Sequence, residues 1–373
     1  QELIGKMETV FATFGSLKPE SGFRAWLIGR SDQVGFEIAV HKDKIFFYVA
    51  APTKWRNFLE EQIHSQYPFA SIEEVSDYNV FAPTSVTLAT YLVLRRSSCF
   101  ALKTYRKLET DPMNALTNAL AKLEENDGAS IQFLLRPADG DWRKTGVRIA
   151  REMQQGKKLS DVQKGSVAKE VWKVLKSLTK GPKDPNKKDS YQLSPLEQEM
   201  VKGLEEKASK AGLETCIRIV VSGKTPAKAQ QYMNDILGAF GQFNIYEYGN
   251  SFKKDMPRWQ AHIVHGFIYR QFNEDKRMVL NAEELASLFH FPLPSTETPK
   301  IAWLMSRKAP PPANLPTEGV SLGIAQYRGH DYVVRMKQPD RRRHSYIIGK
   351  SGSGKTEFLK SMIKQDIEEG RGI

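Results

Sequence analysis

Apolar and polar positions along the chain follow two different periods, and the changes of period mark out its elements. Leu3, Met7, Val10, Phe11 and Phe14 recur every three to four residues, which predicts an amphipathic helix over 2–14. "VGFEIAVH" (34–41) and "KIFFYVAA" (44–51) then read as strands joined by a tight turn at Lys42–Asp43. Thr53 is placed to cap a helix running to about Gln66, with Trp55, Phe58, Leu59 and Ile63 as its stripe, and Tyr67–Pro68 ends it. "ASIEEV" (70–75) reads as a short strand. The order then recurs: a strand over 85–96, a helix over 111–126 opened by Asp111 and Pro112, and a strand over 129–137. This predicts an α+β domain over 1–155, built as two ferredoxin-like halves.

A second α+β domain is expected over 191–292. Its parts are a helix over 194–211, a strand over 213–223, a helix over 225–243 opened by Thr225 and Pro226, a strand over 258–272, and a helix over 281–292 ended by Pro292. Residues 293–319 are rich in proline, which fixes φ and predicts a stiff, extended connector. "VSLGIAQYRGHDYVVRMK" (320–337) reads as a hairpin turning near Gly329, and "HSYIIG" (344–349) as a buried strand. Residues 320–373 are therefore expected to begin an α/β P-loop NTPase domain.

Charge alters this picture in one region. The chain has 373 residues, with 55 Lys and Arg against 43 Asp and Glu, a formal net charge of +12 that suits an anionic partner. Ten lysines against four acids fall within 156–190, half of the whole excess. That stretch reads either as a solvated linker or as a basic arm touching DNA phosphates, with Lys157, Lys158, Lys187 and Lys188 as candidate contacts. Arg341, Arg342 and Arg343 form a second candidate cluster for DNA or a neighbouring subunit's phosphate, or else a solvated basic turn. Cys99 and Cys216 lie far apart with no CxxC spacing, so they fit small hydrophobes in a reducing cytosol. No run reaches the ~18 apolar residues that span a bilayer; Asn79–Leu94 comes nearest and is broken by Pro83.

"GKSGSGKT" (349–356) carries the chemistry. It meets the pattern G-x-x-x-x-G-K-[ST] through Gly349, Lys350, Ser351, Gly352, Ser353, Gly354, Lys355 and Thr356. Glycines let the backbone curl so that its N–H groups cradle phosphate oxygens, and the helix that follows adds its positive end. Lys355 is expected to reach the β- and γ-phosphates of ATP, and the Thr356 hydroxyl to ligate Mg²⁺. Phe358, Leu359, Met362, Ile363 and Ile367 share one helical face that is expected to cover a sheet. Tyr327 is placed either to stack on adenine or to fill the core. His262 and His265 fall in an expected strand, where they would point to opposite faces, so their HxxH spacing predicts no metal pair.

Four stretches carry a resemblance: "DRRRHSYIIGKSGSGKTEFLKSMIKQDIEEGRG" (340–372), "LNAEELASLFHFP" (280–292), "DPMNALTNALAKLEENDGASIQFLLRP" (111–137) and "FLEEQIHSQYPFASIEEV" (58–75). Together they resemble the conjugative DNA-transfer ATPases of type IV secretion systems, in the coupling-protein-like branch of the HerA–FtsK superfamily. The resemblance implies a hexameric motor at the cytoplasmic face of an inner membrane, with DNA and other secretion components as partners. It also implies membrane helices upstream and an acidic Mg²⁺-binding strand downstream. Because the chain begins at Gln1 and runs only to Ile373, it reads as the N-terminal part of such a motor, cut at both ends and not competent for turnover alone. Two other readings stand beside it: a non-catalytic assembly module of a secretion machine, and a cytosolic HerA-like DNA-processing translocase.

Overall fold

The computed structural model describes residues 2–22, 27, 29–68, 70–159, 162, 192–293, 296, 298–303, 311–312, 314–327, 330–343, 345–350 and 352–371. The chain divides into two compact units, residues 1–68 with 77–302, and residues 69–76 with 303–373.

In the larger unit the chain runs α1 (Glu2–Gly15), β1 (Val34–His41), β2 (Lys44–Ala50), α2 (Thr53–Gln66), β3 (Val86–Leu94), α3 (Pro112–Ala121), β4 (Gly128–Pro137), α4 (Asp141–Gln154), α5 (Pro195–Ala208), β5 (Gly212–Gly223), α6 (Pro226–Ala239), β6 (Phe252–Asp255), α7 (Ala261–Ile268), β7 (Met278–Asn281) and α8 (Ala282–Leu288). Local signals set many of these boundaries. Lys42 and Asp43 both take positive φ in the two-residue turn between β1 and β2. Asp111 accepts from Met113 N–H ahead of α3, and Ser194 with Glu197 closes a capping box on α5. Thr53 is the first helical residue of α2 rather than its cap; Pro52 stands in the cap position and makes no side-chain bond.

All seven strands lie in one antiparallel sheet of order β2-β1-β4-β5-β3-β6, with β7 paired to the start of β5. This corrects two expectations. β4 pairs β5 from Gly128↔Ser222 to Pro137↔Leu213, so 1–155 and 191–292 share one sheet rather than forming two domains. β1 pairs β4, so the recurring element order does not separate into independent halves. The architecture is mixed α+β. Strand pairing at long sequence separation leaves no periodic trace, which is why the sequence suggested a division.

One face of the sheet is apolar. Phe36, Phe133 and Phe289 meet edge-on, with centroids 5.2 and 6.0 Å from Phe289, and Phe11 of α1 closes on Phe36 at 5.1 Å. Each buried ring contributes about 2 kcal/mol through the water it sheds. The other face carries a polar row. Glu37 stands opposite Tyr48 and Gln132, Gln132 opposite Arg218, Arg218 opposite Tyr91, and Tyr91 opposite Asp255, so the row crosses six strands. Glu37, Gln132 and Arg218 are all buried. Arg218 Nη1 donates to Gln132 Oε1 at 2.8 Å, and Gln132 Nε2 donates to Glu37 Oε1 at 2.9 Å. Arg270 completes the neutralisation of Glu37, with Nε on Oε1 at 2.8 Å and Nη2 on Oε2 at 3.1 Å. Arg218 also donates to the Gln271 carbonyl and lies over the Tyr91 ring.

Helix α7 covers this face through Ile263 and Phe267. The sequence predicted a strand over 258–272, since its aromatic and β-branched residues suit one. The burial of Ile263, Gly266 and Phe267 at three- and four-residue spacing is helical instead. Gly266 lets the helix come close, since a Cβ would stand 3.2 Å from Arg218 Nη2 and the guanidinium would have to shift by a few tenths of an ångström.

The smaller unit contains the hairpin β8 (Val320–Tyr327) and β9 (His330–Met336), the short α9 (Gln338–Arg341) and α10 (Lys355–Glu368). Residues 70–75, expected as a strand, join no sheet among the described residues, and Ile72 and Val75 are exposed. An alternating pattern makes a strand only where a neighbour completes its hydrogen-bond ladder.

Two measurements check this account. Arg218→Met removes the guanidinium and strips partners from Gln132 and Gln271, and should cost about 3 kcal/mol in urea unfolding; an unchanged midpoint would mean the row is not structural. Residues 1–155 expressed alone lack β5 and should give the narrow amide dispersion of an unfolded chain, while 1–302 should give that of a folded one.

Candidate phosphate-binding loop

The glycine loop lies between an extended segment and α10. Residues 344–349 were expected as a buried strand, yet no strand pairs with 345–349 among the described residues, and Tyr346 and Ile348 are 89% and 80% exposed. A parallel strand is buried only between neighbours, and among the described residues the sheet of this unit is the self-paired hairpin. Within the loop two glycines take left-handed backbone. Gly352 and Gly354 take φ of +80° and +87°, where a side chain would be strained. Ser353 N–H donates to the Lys350 carbonyl at 3.1 Å, tightening the turn. At Gly349 a Cβ would fall 2.4 Å from Ser353 Oγ, so a side chain there would force the Ser353 hydroxyl to turn away.

Helix α10 starts directly after Gly354 with no side-chain cap, and its first-turn N–H groups have no partner within the helix. Lys355 Nζ donates to the carbonyls of Gly349 at 2.6 Å and Lys350 at 2.8 Å, so the ammonium bridges the start of the loop. No residue from 349 to 356 is acidic, and the nearest acid along the helix, Glu357, is paired with Lys360 at 2.8 Å. This donor set fits a phosphate chain. Thr356 is exposed in the first turn and offers one hydroxyl to a cation. Among the described residues no cluster of three or more His, Cys, Asp or Glu gathers as a metal centre. Ser351 lies outside the described residues.

The far end of α10 is fastened by polar contacts. Gln365 pairs with the Ser321 backbone of β8 through two bonds of 2.9 Å, one given and one received. Asp366 takes both ends of the Arg341 guanidinium, at 2.5 Å for Nη2 on Oδ2, and Arg341 holds its carboxyl below the usual range. Asp366 is the buried residue of this helix; of the expected apolar face Phe358 and Met362 are half-buried, while Leu359, Ile363 and Ile367 are exposed.

The other candidates are scattered. Arg341 is committed to Asp366, whereas Arg342 and Arg343 are exposed. Lys157 pairs with Glu152 at 3.1 Å and Lys158 is exposed; Lys187, Lys188 and most of the basic stretch lie outside the described residues. Tyr327 ends β8, with its side chain outside them too. His262 and His265 share one side of α7, contrary to the strand expectation, and both are exposed. Cys99 and Cys216 are buried and free, as expected. Sequence reasoning passed over the Gln365–Ser321 and Asp366–Arg341 ties, since a polar residue beside an apolar stripe gives no sign of its partner.

Because Asp366 titrates below its ordinary value when folded, its contribution is complete above about pH 4 and is lost as pH falls through the folded value. Hydrogen exchange of the α10 amides, corrected for intrinsic rates, should show protection falling between pH 5 and pH 3. Asp366→Asn should be poorly protected at both; equal protection in the variant would dismiss the tie as an anchor.

Among the described residues, no helix is long and apolar enough to cross a membrane. A comparison with curated proteins returns no match. A family described as a domain of unknown function, DUF8128, matches residues 7–304. That span takes in nearly all of the larger unit and stops short of the hairpin and the loop. By this match over most of its length, the chain belongs to the DUF8128 family.

Proposed function

We propose that residues 349–356 bind the triphosphate of ATP with Mg²⁺, and that the chain is the N-terminal part of an ATP-driven DNA-transfer motor similar to the coupling-protein-like HerA–FtsK ATPases. The observation that carries the nucleotide reading is the Lys355 ammonium held across Gly349 and Lys350, beside two left-handed glycines and an uncapped helix start. On binding, Lys355 exchanges two neutral carbonyls for phosphate oxygens, a stronger acceptor for a cation. The first-turn N–H groups of α10 gain the acceptors that the helix does not supply. Bound Mg²⁺ would neutralise phosphate charge, with Thr356 holding it in part.

The motor reading rests on the sequence resemblance, and with it come the hexameric ring, the DNA substrate, the secretion partners and the place at the inner membrane. Turnover belongs, in this reading, to the parent protein. An assembly module is the second reading, supported by the exposed Leu359, Ile363 and Ile367.

A fluorescent ATP analogue titrated into the full chain with Mg²⁺ should bind, and Lys355→Ala should weaken it at least about ten-fold, the loss of a charge-assisted hydrogen bond. Gly354→Ala should also weaken it, through strain at positive φ. No binding at millimolar nucleotide, or equal binding by Lys355→Ala, would overturn the nucleotide reading and leave the assembly module.

A further inference from the structure

Helix α7 seals the polar face of the sheet on one side and presents aromatic rings to solvent on the other. Trp259, just ahead of its first turn, is 80% exposed, and Tyr269, just past its last, is 65% exposed. His262, His265 and Tyr269 recur at three- and four-residue spacing and so line one side. The His265 and Tyr269 rings lie 4.5 Å apart. The same segment begins with exposed cations. Lys253, Lys254 and Arg258 make no ion pair among the described residues, and Asp255, the one acid from 253 to 269, is occupied by Lys276 at 2.7 Å.

We propose that residues 253–269 form a binding surface for single-stranded DNA, with bases stacked on Trp259 and on the His265–Tyr269 pair and phosphates held by Lys253 and Arg258. Aromatic rings following unpaired cations suit this partner, because every unpaired base has a π-face and every nucleotide a charge. The rise of an α-helix sets residues three or four apart about 4.5–6 Å along its axis, a spacing within reach of successive bases on an extended strand. A membrane surface fits less well. An interfacial helix needs a continuous apolar face, and Ile263 and Val264 of α7 are turned towards the core, leaving Ala261 and Ile268 exposed at its two ends. A duplex hides its base faces. RNA would add 2′-hydroxyls, yet the one amide here, Gln260, is bonded to Ala89 N–H at 2.8 Å, and the segment has no Ser, Thr or Asn. The surface lies wholly within the larger unit and does not rest on the nucleotide reading.

The test is fluorescence anisotropy of a labelled 20-residue oligo-dT with the full chain at 50–200 mM salt, followed also by quenching of tryptophan emission. Binding should be salt-dependent and quench emission. Trp259→Ala should weaken it at least about five-fold and remove part of the quench, while Trp259→Phe keeps most of the affinity. Neutralising Lys253 or Arg258 should each lower the salt slope by about 0.7. Lys355→Ala should bind the oligonucleotide as the parent chain does, which separates this surface from the loop. Wild-type affinity in Trp259→Ala, tighter binding of oligo-rU or duplex, or binding confined to phosphatidylserine vesicles would each overturn the proposal.

Discussion

The burial of Glu37, Gln132 and Arg218 in one row is the constraint around which the larger unit is arranged. Taking a carboxylate and a guanidinium out of water costs several kcal/mol each unless geometry repays it. The repayment requires register. Gln132 can relay between Arg218 and Glu37 only if β1, β4 and β5 are aligned as they are, since a slip of one residue would turn each side chain to the opposite face. It also requires α7, whose end supplies Arg270 to Glu37 and whose following residue Gln271 supplies a carbonyl to Arg218. Tyr78 adds a hydroxyl to Glu37 at 2.7 Å, tying the segment before β3 to the same point. The row is thus less a source of net stability than a specification of which strands pair and where.

The smaller unit is organised on a different principle. Its helix α10 leaves Leu359, Ile363 and Ile367 exposed, and its polar attachments are an amide pair to β8 and a fork to α9. Both attachments sit near the C-terminal end, about 15 Å from the loop at 1.5 Å per residue. Directional bonds at one end fix the helix's rotation better than a greasy contact would, and that rotation aims the first-turn N–H groups.

Much of this was legible in the residues. Helix starts at Asp111, Ser194 and Thr225 follow from short-range capping chemistry, and the β1–β2 turn from its two-residue length. The loop was legible for the same reason, being a local device whose glycines each have a local cause. The sheet was not. "VGFEIAVH", "SIQFLL" and "CIRIVV" each show one polar residue inside an apolar run, a clue that becomes intelligible only when the three strands lie side by side. α7 was misread because its composition favours a strand, while its exposed side is made of aromatic rings that look like core residues. The strand over 344–349 was expected from Tyr346, Ile347 and Ile348, but apolar content alone does not bring a partner.

The joining of β4 to β5 also changes what the basic stretch is. α4, before the basic stretch, and α5, after it, share one core cluster of Ile149, Ala150 and Met153 with Met200, Val201 and Leu204. The chain on either side of the stretch therefore belongs to a single folded body. Such a segment joins two elements of one body and is not a tether between bodies. Its length is almost free of energetic consequence, since doubling it costs only about 0.6 kcal/mol in closure entropy. Insertions, deletions or a graft of foreign sequence there would be borne by the fold with little complaint, and variation among relatives should collect there before it reaches the sheet.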